Sequence, residues 1–154
     1  MPPTTVSPPW TYTLQLPHDP RAPGIARATL RAVLATYGLA ELAPTAELLA
    51  AEMLNNAHCH TDGPYALRLR HSSPKGVRVA VWDSNPEIPP GFGQPGGRPA
   101  PAAPDDAESG RGLRLVQACA DSWGAYPLGA ARDGKLLWAE VGGDLPRAQV
   151  PPLH

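Results

Sequence analysis

Trp10, Tyr12, Leu14 and Leu16 alternate with Thr11, Thr13 and Gln15, the period-two pattern of a half-buried strand that Pro17 ends. Asp19 is placed to cap a helix with Pro20 at its first position. Ala26, Leu30, Val33, Leu34 and Tyr37 then recur at helical spacing until Gly38. Pro44 or Thr45 opens a second helix whose core stripe is Ala46, Leu49, Ala50, Met53 and Ala57. Beside that stripe Glu52, Asn56 and His60 form a column, each one turn from the next, at the border of the core and able to line a pocket. Strands are predicted over 65–71 and 77–83, joined as a hairpin by the turn chemistry of Ser72-Ser73-Pro74-Lys75-Gly76, with Val77, Val79 and Val81 on one face. Residues 86–109 show neither period, which predicts a functional lid or a disordered insert. A short helix over 112–121, a strand over 123–128 and a last strand over 135–141, after the Asp133-Gly134 turn, complete the reading. Helices interspersed among largely antiparallel strands imply a sheet covered on one face by three helices.

The 154 residues bound this to one domain, expected over 10–141, with a disordered segment over 1–9 and a flexible tail over 142–154. A net charge of −1 and the lack of a basic tract give no footprint for nucleic acid or an anionic membrane. No apolar run approaches the roughly 18 residues of a membrane span, so a cytoplasmic protein is expected. Cys59 and Cys119 lack CxxC spacing, which argues against a disulfide framework or a zinc knuckle.

Several residues carry candidate chemistry. Magnesium needs only one or two protein oxygens beside the phosphates of a nucleotide, and the Asn56 amide oxygen suits that role. Glu52, one turn earlier, could accept the proton of an attacking hydroxyl. The plainer reading is a polar pair flanking a core stripe. Asp83 ends an apolar strand, where a carboxylate can accept from the exocyclic amine of adenine; the plainer reading is a turn aspartate. Gly110-Arg111-Gly112 opens a helix, and unshielded amides there can hold phosphate oxygens; alternatively they form a hinge. Arg111 is read equally as a phosphate neutraliser or an exposed arginine. His58 and His60 stand two apart on a helix and make a poor metal pair. The four tryptophans read as packing residues.

Taken in order, the column Glu52, Asn56 and His60, the strand end Val81-Trp82-Asp83-Ser84-Asn85 and the box Gly110-Arg111-Gly112-Leu113-Arg114-Leu115-Val116, followed by Trp123-Gly124, resemble the GHKL ATPase superfamily. Within it the chain is most similar to the stand-alone, histidine-kinase-like anti-sigma-factor serine kinases. The resemblance spans residues 10–141 and implies an α+β, two-layer α/β sandwich, the Bergerat fold. It implies ATP and Mg2+ as cofactors, Glu52 as catalytic base and Asn56 as metal ligand. Nucleotide would be bound by Asn56, Asp83, Asn85, Gly110, Arg111, Gly112 and Leu113. It further implies transfer of the γ-phosphoryl to a serine of an anti-sigma-factor antagonist, sequestration of a sigma factor, and a homodimer through the face near the first strand and helix. The chain departs from the family at Asn85 and Glu87, where glycines are usual, and at Leu136, where a threonine or serine usually stands near the phosphates. Two other readings stay open: a non-catalytic ATP-binding module that regulates a partner, and an interaction domain that has lost its nucleotide.

Overall fold

The computed structural model describes residues 9–72, 75–92, 108–128 and 134–142, with 108–113 as helical backbone only. The described elements are β1 (Thr11–Leu16), α1 (Ala22–Thr36), α2 (Ala43–His60), β2 (Tyr65–Ser72), β3 (Gly76–Asp83), α3 (Glu108–Cys119), β4 (Ser122–Pro127) and β5 (Lys135–Val141). A single 3-10 turn, Ala40–Leu42, leads into α2. The strands form one sheet in the order β1-β2-β3-β5-β4, with every neighbouring pair antiparallel. This is the α+β two-layer sandwich expected from the sequence.

Sequence period decides which face of the sheet is covered. Leu67, Leu69, Val77, Val79, Val81, Leu137, Ala139 and Val141 are all buried, and they occupy alternate positions on the three central strands. Against them lies α2, whose predicted stripe of Ala46, Leu49, Ala50, Met53 and Ala57 is wholly buried, joined by Leu54. Helix α1 adds Ala22, Ala26, Leu30 and Leu34, spaced as an amphipathic helix requires. Arg31 and Glu47 clasp the two helices in a two-pronged ion pair, with contacts of 2.9 and 2.7 Å.

Helix boundaries differ from the sequence reading at their N-termini. Asp19 does not cap α1; its Oδ1 accepts from the Arg21 amide, and its carboxylate grips the Arg21 guanidinium, so the chain turns once more and the helix begins at Ala22. The Arg21 contacts hold the Asp19 carboxyl well below the usual carboxylate range. The C-terminal end follows the prediction. Gly38 has φ +76°, the Leu39 amide bonds Leu34 O and the Gly38 amide bonds Ala35 O, the paired bonds of a Schellman cap.

In β1 the alternation holds only partly. Trp10 and Leu16 are buried and Leu14 packs against the core, but Tyr12, near the outer end of this edge strand, is exposed. Its hydroxyl instead meets that of Tyr37 at 2.6 Å, and Trp10 stacks on the Tyr37 ring.

The stretch read as a lid, 86–109, is in part fixed structure. Residues 86–92 run back over the domain and bury Phe92 completely, while 93–107 lie outside the described residues, as do 1–8 and 143–154. Helix α3 begins at Glu108, four residues before the expected start at Gly112. No helix among the described residues is long and apolar enough to cross a membrane.

Candidate functional site

Period two carries the inward face of β3 one step beyond its valines to Asp83, and that of β5 one step before Leu137 to Lys135. These two residues are register partners. The chain can bring them together because Gly134, at φ +113°, leaves room where a Cβ would collide with the Asp83 carbonyl. Lys135 Nζ donates to Asp83 Oδ1 at 3.0 Å and to Asn85 O at 3.0 Å, and both ionic side chains are 1% exposed. Oδ1 also accepts from the Asn85 amide at 2.8 Å. Both bonds converge on one carboxylate oxygen; Oδ2 has no hydrogen bond among the described residues.

Asn85 explains itself once this turn is seen. Its Oδ1 accepts from the Glu87 amide at 2.9 Å, and its Nδ2 donates to His60 O at 3.3 Å, tying the end of β3 to the last turn of α2. A glycine could make neither contact. The side chain is therefore spent on holding the turn, and Glu87 contributes its backbone amide to the same arrangement.

One turn back along α2, Asn56 is 7% exposed, and its carboxamide has no hydrogen bond among the described residues. Although the residue as a whole is buried, its amide atoms keep access to solvent, so the carboxamide is open to a ligand and not stranded in the core. Glu52 lies half-buried one turn earlier and is likewise without an ion pair among the described residues. His58 is occupied elsewhere: it stacks on His18 at 4.0 Å between ring centroids and shares a 2.9 Å hydrogen bond with the Tyr65 hydroxyl. Burial pushes the Tyr65 phenol up from its ordinary value. No cluster of three metal-binding side chains occurs among the described residues.

Asn56, Asp83 and the α3 segment that carries the glycine box all fall within residues 16–138, which match the family model of the histidine kinase-like ATPase domain. The chain belongs to that family. It is accordingly an ATP-binding domain. No curated protein matches it.

In this histidine kinase-like ATPase domain, α3 leaves the phosphate box with a changed role. In an α-helix only the first-turn amides lack internal partners. With the helix starting at Glu108, Gly110 lies in that first turn, whereas Arg111, Gly112 and Leu113 lie behind it. Of the proposed cradle, Gly110 alone keeps an amide free of the helix ladder in this conformation.

The segment between β3 and α3 is pinned by Trp123, read from the sequence as a packing residue, and by Gln117, to which that reading gave no role. Trp123 Nε1 donates to Gly91 O at 3.0 Å, and Gln117 Nε2 donates to Pro90 O at 3.2 Å. Gly91 sits so close to Gln117 that an added Cβ would overlap its carboxamide. Leu136 also differs from expectation. It lines the sheet face away from the helices, with Trp82 and Arg68, so the β5 residue that reaches the Asp83 end of the helical face is Lys135.

The residues present fit a nucleotide. An Asn56 amide and an Asp83 Oδ2 that make no hydrogen bond among the described residues, with the first-turn amides of α3, provide a hard oxygen donor, an acceptor and an anion site on one layer of the fold.

Proposed function

We propose that this protein is an ATP-dependent regulatory protein serine/threonine kinase of the anti-sigma type. When bound, Mg·ATP supplies the transferable phosphoryl group. The Asn56 amide oxygen would hold the magnesium ion, and the Asp83 Oδ2 would accept from the exocyclic amine of adenine. Lys135 and the Asn85 amide hold that carboxylate in place. Glu52 takes the proton of the attacking serine hydroxyl, a role for which a half-buried carboxylate without an ion pair among the described residues is available. The acceptor serine comes from an anti-sigma-factor antagonist, and the kinase sequesters the sigma factor.

The observation that carries this reading is the pairing on α2, one turn apart, of an Asn56 amide that makes no hydrogen bond among the described residues and keeps access to solvent with a half-buried Glu52 free of ion pairs there.

Incubation of the purified protein with Mg·[γ-32P]ATP and an extract of its host cells tests it. The expected result is phosphoserine on a protein of the extract with the wild-type chain, lost in Glu52→Gln while ATP affinity is retained. Binding of Mg·ATP without any serine labelling would support the reading as a non-catalytic ATP-binding module instead.

A further inference from the structure

The helices cover one face of the sheet, and the opposite face is neither polar nor neutral. Along β2 and β3 it presents Arg68, Arg70, Arg78, Ala80 and Trp82, on β5 Leu136 and Trp138, and on the edge strand β4 Tyr126. Two adjoining grooves cross it, of ≈ 610 and ≈ 360 Å³, sharing Arg68, Leu128 and Leu136. Tyr126 is 48% exposed and stacks on Trp138.

The charges on this face are unbalanced. Arg70 and Arg78 are direct register partners on neighbouring strands, and like charges placed opposite each other are destabilising. Glu140, the next partner across the sheet, compensates Arg78 through a 2.7 Å ion pair, and the guanidinium of Arg78 lies 4.0 Å above the Trp138 ring. Arg78 is thereby fixed. Arg68 and Arg70 are exposed and have no carboxylate partner among the described residues. Two uncompensated guanidinium groups stand over an aromatic and aliphatic floor.

We propose that this sheet face is a docking site for an acidic, extended segment of a protein partner. Carboxylates of the segment meet the forked donors of Arg68 and Arg70, and an apolar side chain between them rests against Trp82 and Leu136. The reach from Arg78 to Trp82 is about 13 Å, room for four or five extended residues. A second copy of the chain would bring arginine against arginine, so charge disfavours it. Nucleic acid is disfavoured by the chain's net charge of −1 and by the small number of free cations on the face. The proposal does not depend on the nucleotide site, which lies on the other side of the sheet.

The test uses a fluorescein-labelled, end-capped hexapeptide of alternating glutamate and leucine, followed by anisotropy at low salt. Its lysine–leucine counterpart and an oligothymidylate of similar length serve as comparisons. Saturable binding of the glutamate peptide is expected, weakened at least about tenfold in Arg68→Glu/Arg70→Glu, with ATP affinity unchanged. Both arginines are exposed, and Arg70→Glu sets a carboxylate opposite Arg78, so the variant should unfold at or above the wild-type midpoint, which is checked by circular dichroism. The proposal is overturned if the glutamate peptide does not bind saturably, if the variant binds it equally well, or if the lysine peptide or oligothymidylate binds more tightly. It is also overturned if sedimentation shows a wild-type dimer that the variant converts to monomer.

Discussion

Lys135 Nζ donates to Asp83 Oδ1 across 3.0 Å at a site where each side chain is 1% exposed. The carboxylate assigned to read the base is therefore also half of a buried ion pair. Sequence reasoning alone would let Asp83→Ala weaken nucleotide binding and leave stability untouched. The pair changes that expectation, because removing one partner strands the other charge in the core.

Asp83→Ala is predicted to lower the unfolding free energy by about 3–5 kcal/mol, and Asp83→Ala/Lys135→Met to recover much of the loss. Urea denaturation of the two single variants and the double variant measures this. Strictly additive losses would show that the two groups do not interact.

Trp123→Phe keeps an aromatic side chain but removes the N–H that reaches Gly91 O together with the five-membered ring of a core indole. It should cost about 1–3 kcal/mol and speed amide exchange most over residues 86–92. Exchange that is uniform across the domain would point to general loosening in place of a local tether.

Glu47 is held below its ordinary carboxylate value by hydrogen bonds from Arg31. A carboxyl group depressed in the folded state adds stability above its unfolded value, and that stability is lost as pH falls through the folded one. Glu47→Gln should thus cost about 0.2–1 kcal/mol at neutral pH, the range of a solvent-exposed pair, and progressively less below pH of about 4. Denaturation midpoints at pH 7 and pH 3 give the comparison. A difference that grows on acidification would contradict the assignment.

The phosphate site makes a prediction for α3. If the free first-turn amide of Gly110 meets the phosphates, hydrogen exchange at Gly110 should slow when Mg·ATP is added, while Arg111–Leu113, already in the helix ladder, change less. Exchange at Gly110 that is the same with and without the nucleotide would remove it from the site.

Much of the fold was legible because two periods carried it. The stripe on α2 and the valines of β3 place their side chains by geometry alone, and Gly38 stops α1 because no other residue enters its backbone conformation as readily. The same reasoning, extended one step, would have found Lys135. Val77, Val79 and Val81 point inward, so Asp83 does too; Leu137, Ala139 and Val141 point inward, so Lys135 does and Leu136 does not. Attention to a family position at Leu136 hid that phase. Other contacts had no sequence signal. Trp123 finds Gly91, and Gln117 finds Pro90, across long separations that no local pattern encodes. Asp19 was misread as a cap because capping aspartates and turn aspartates share one local chemistry, and the Arg21 side chain decided between them.

The central claim is that Asn56 and Asp83 belong to one Mg·ATP site, and calorimetric titration of the wild-type chain and Asn56→Ala with ATP and GTP, each with and without magnesium, tests it most directly. The account predicts that the wild type binds ATP in preference to GTP and more tightly with magnesium, and that Asn56→Ala folds normally, still prefers ATP and no longer responds to the metal. Equal magnesium dependence in the wild type and in Asn56→Ala, or equal affinity of the wild type for ATP and GTP, would contradict it.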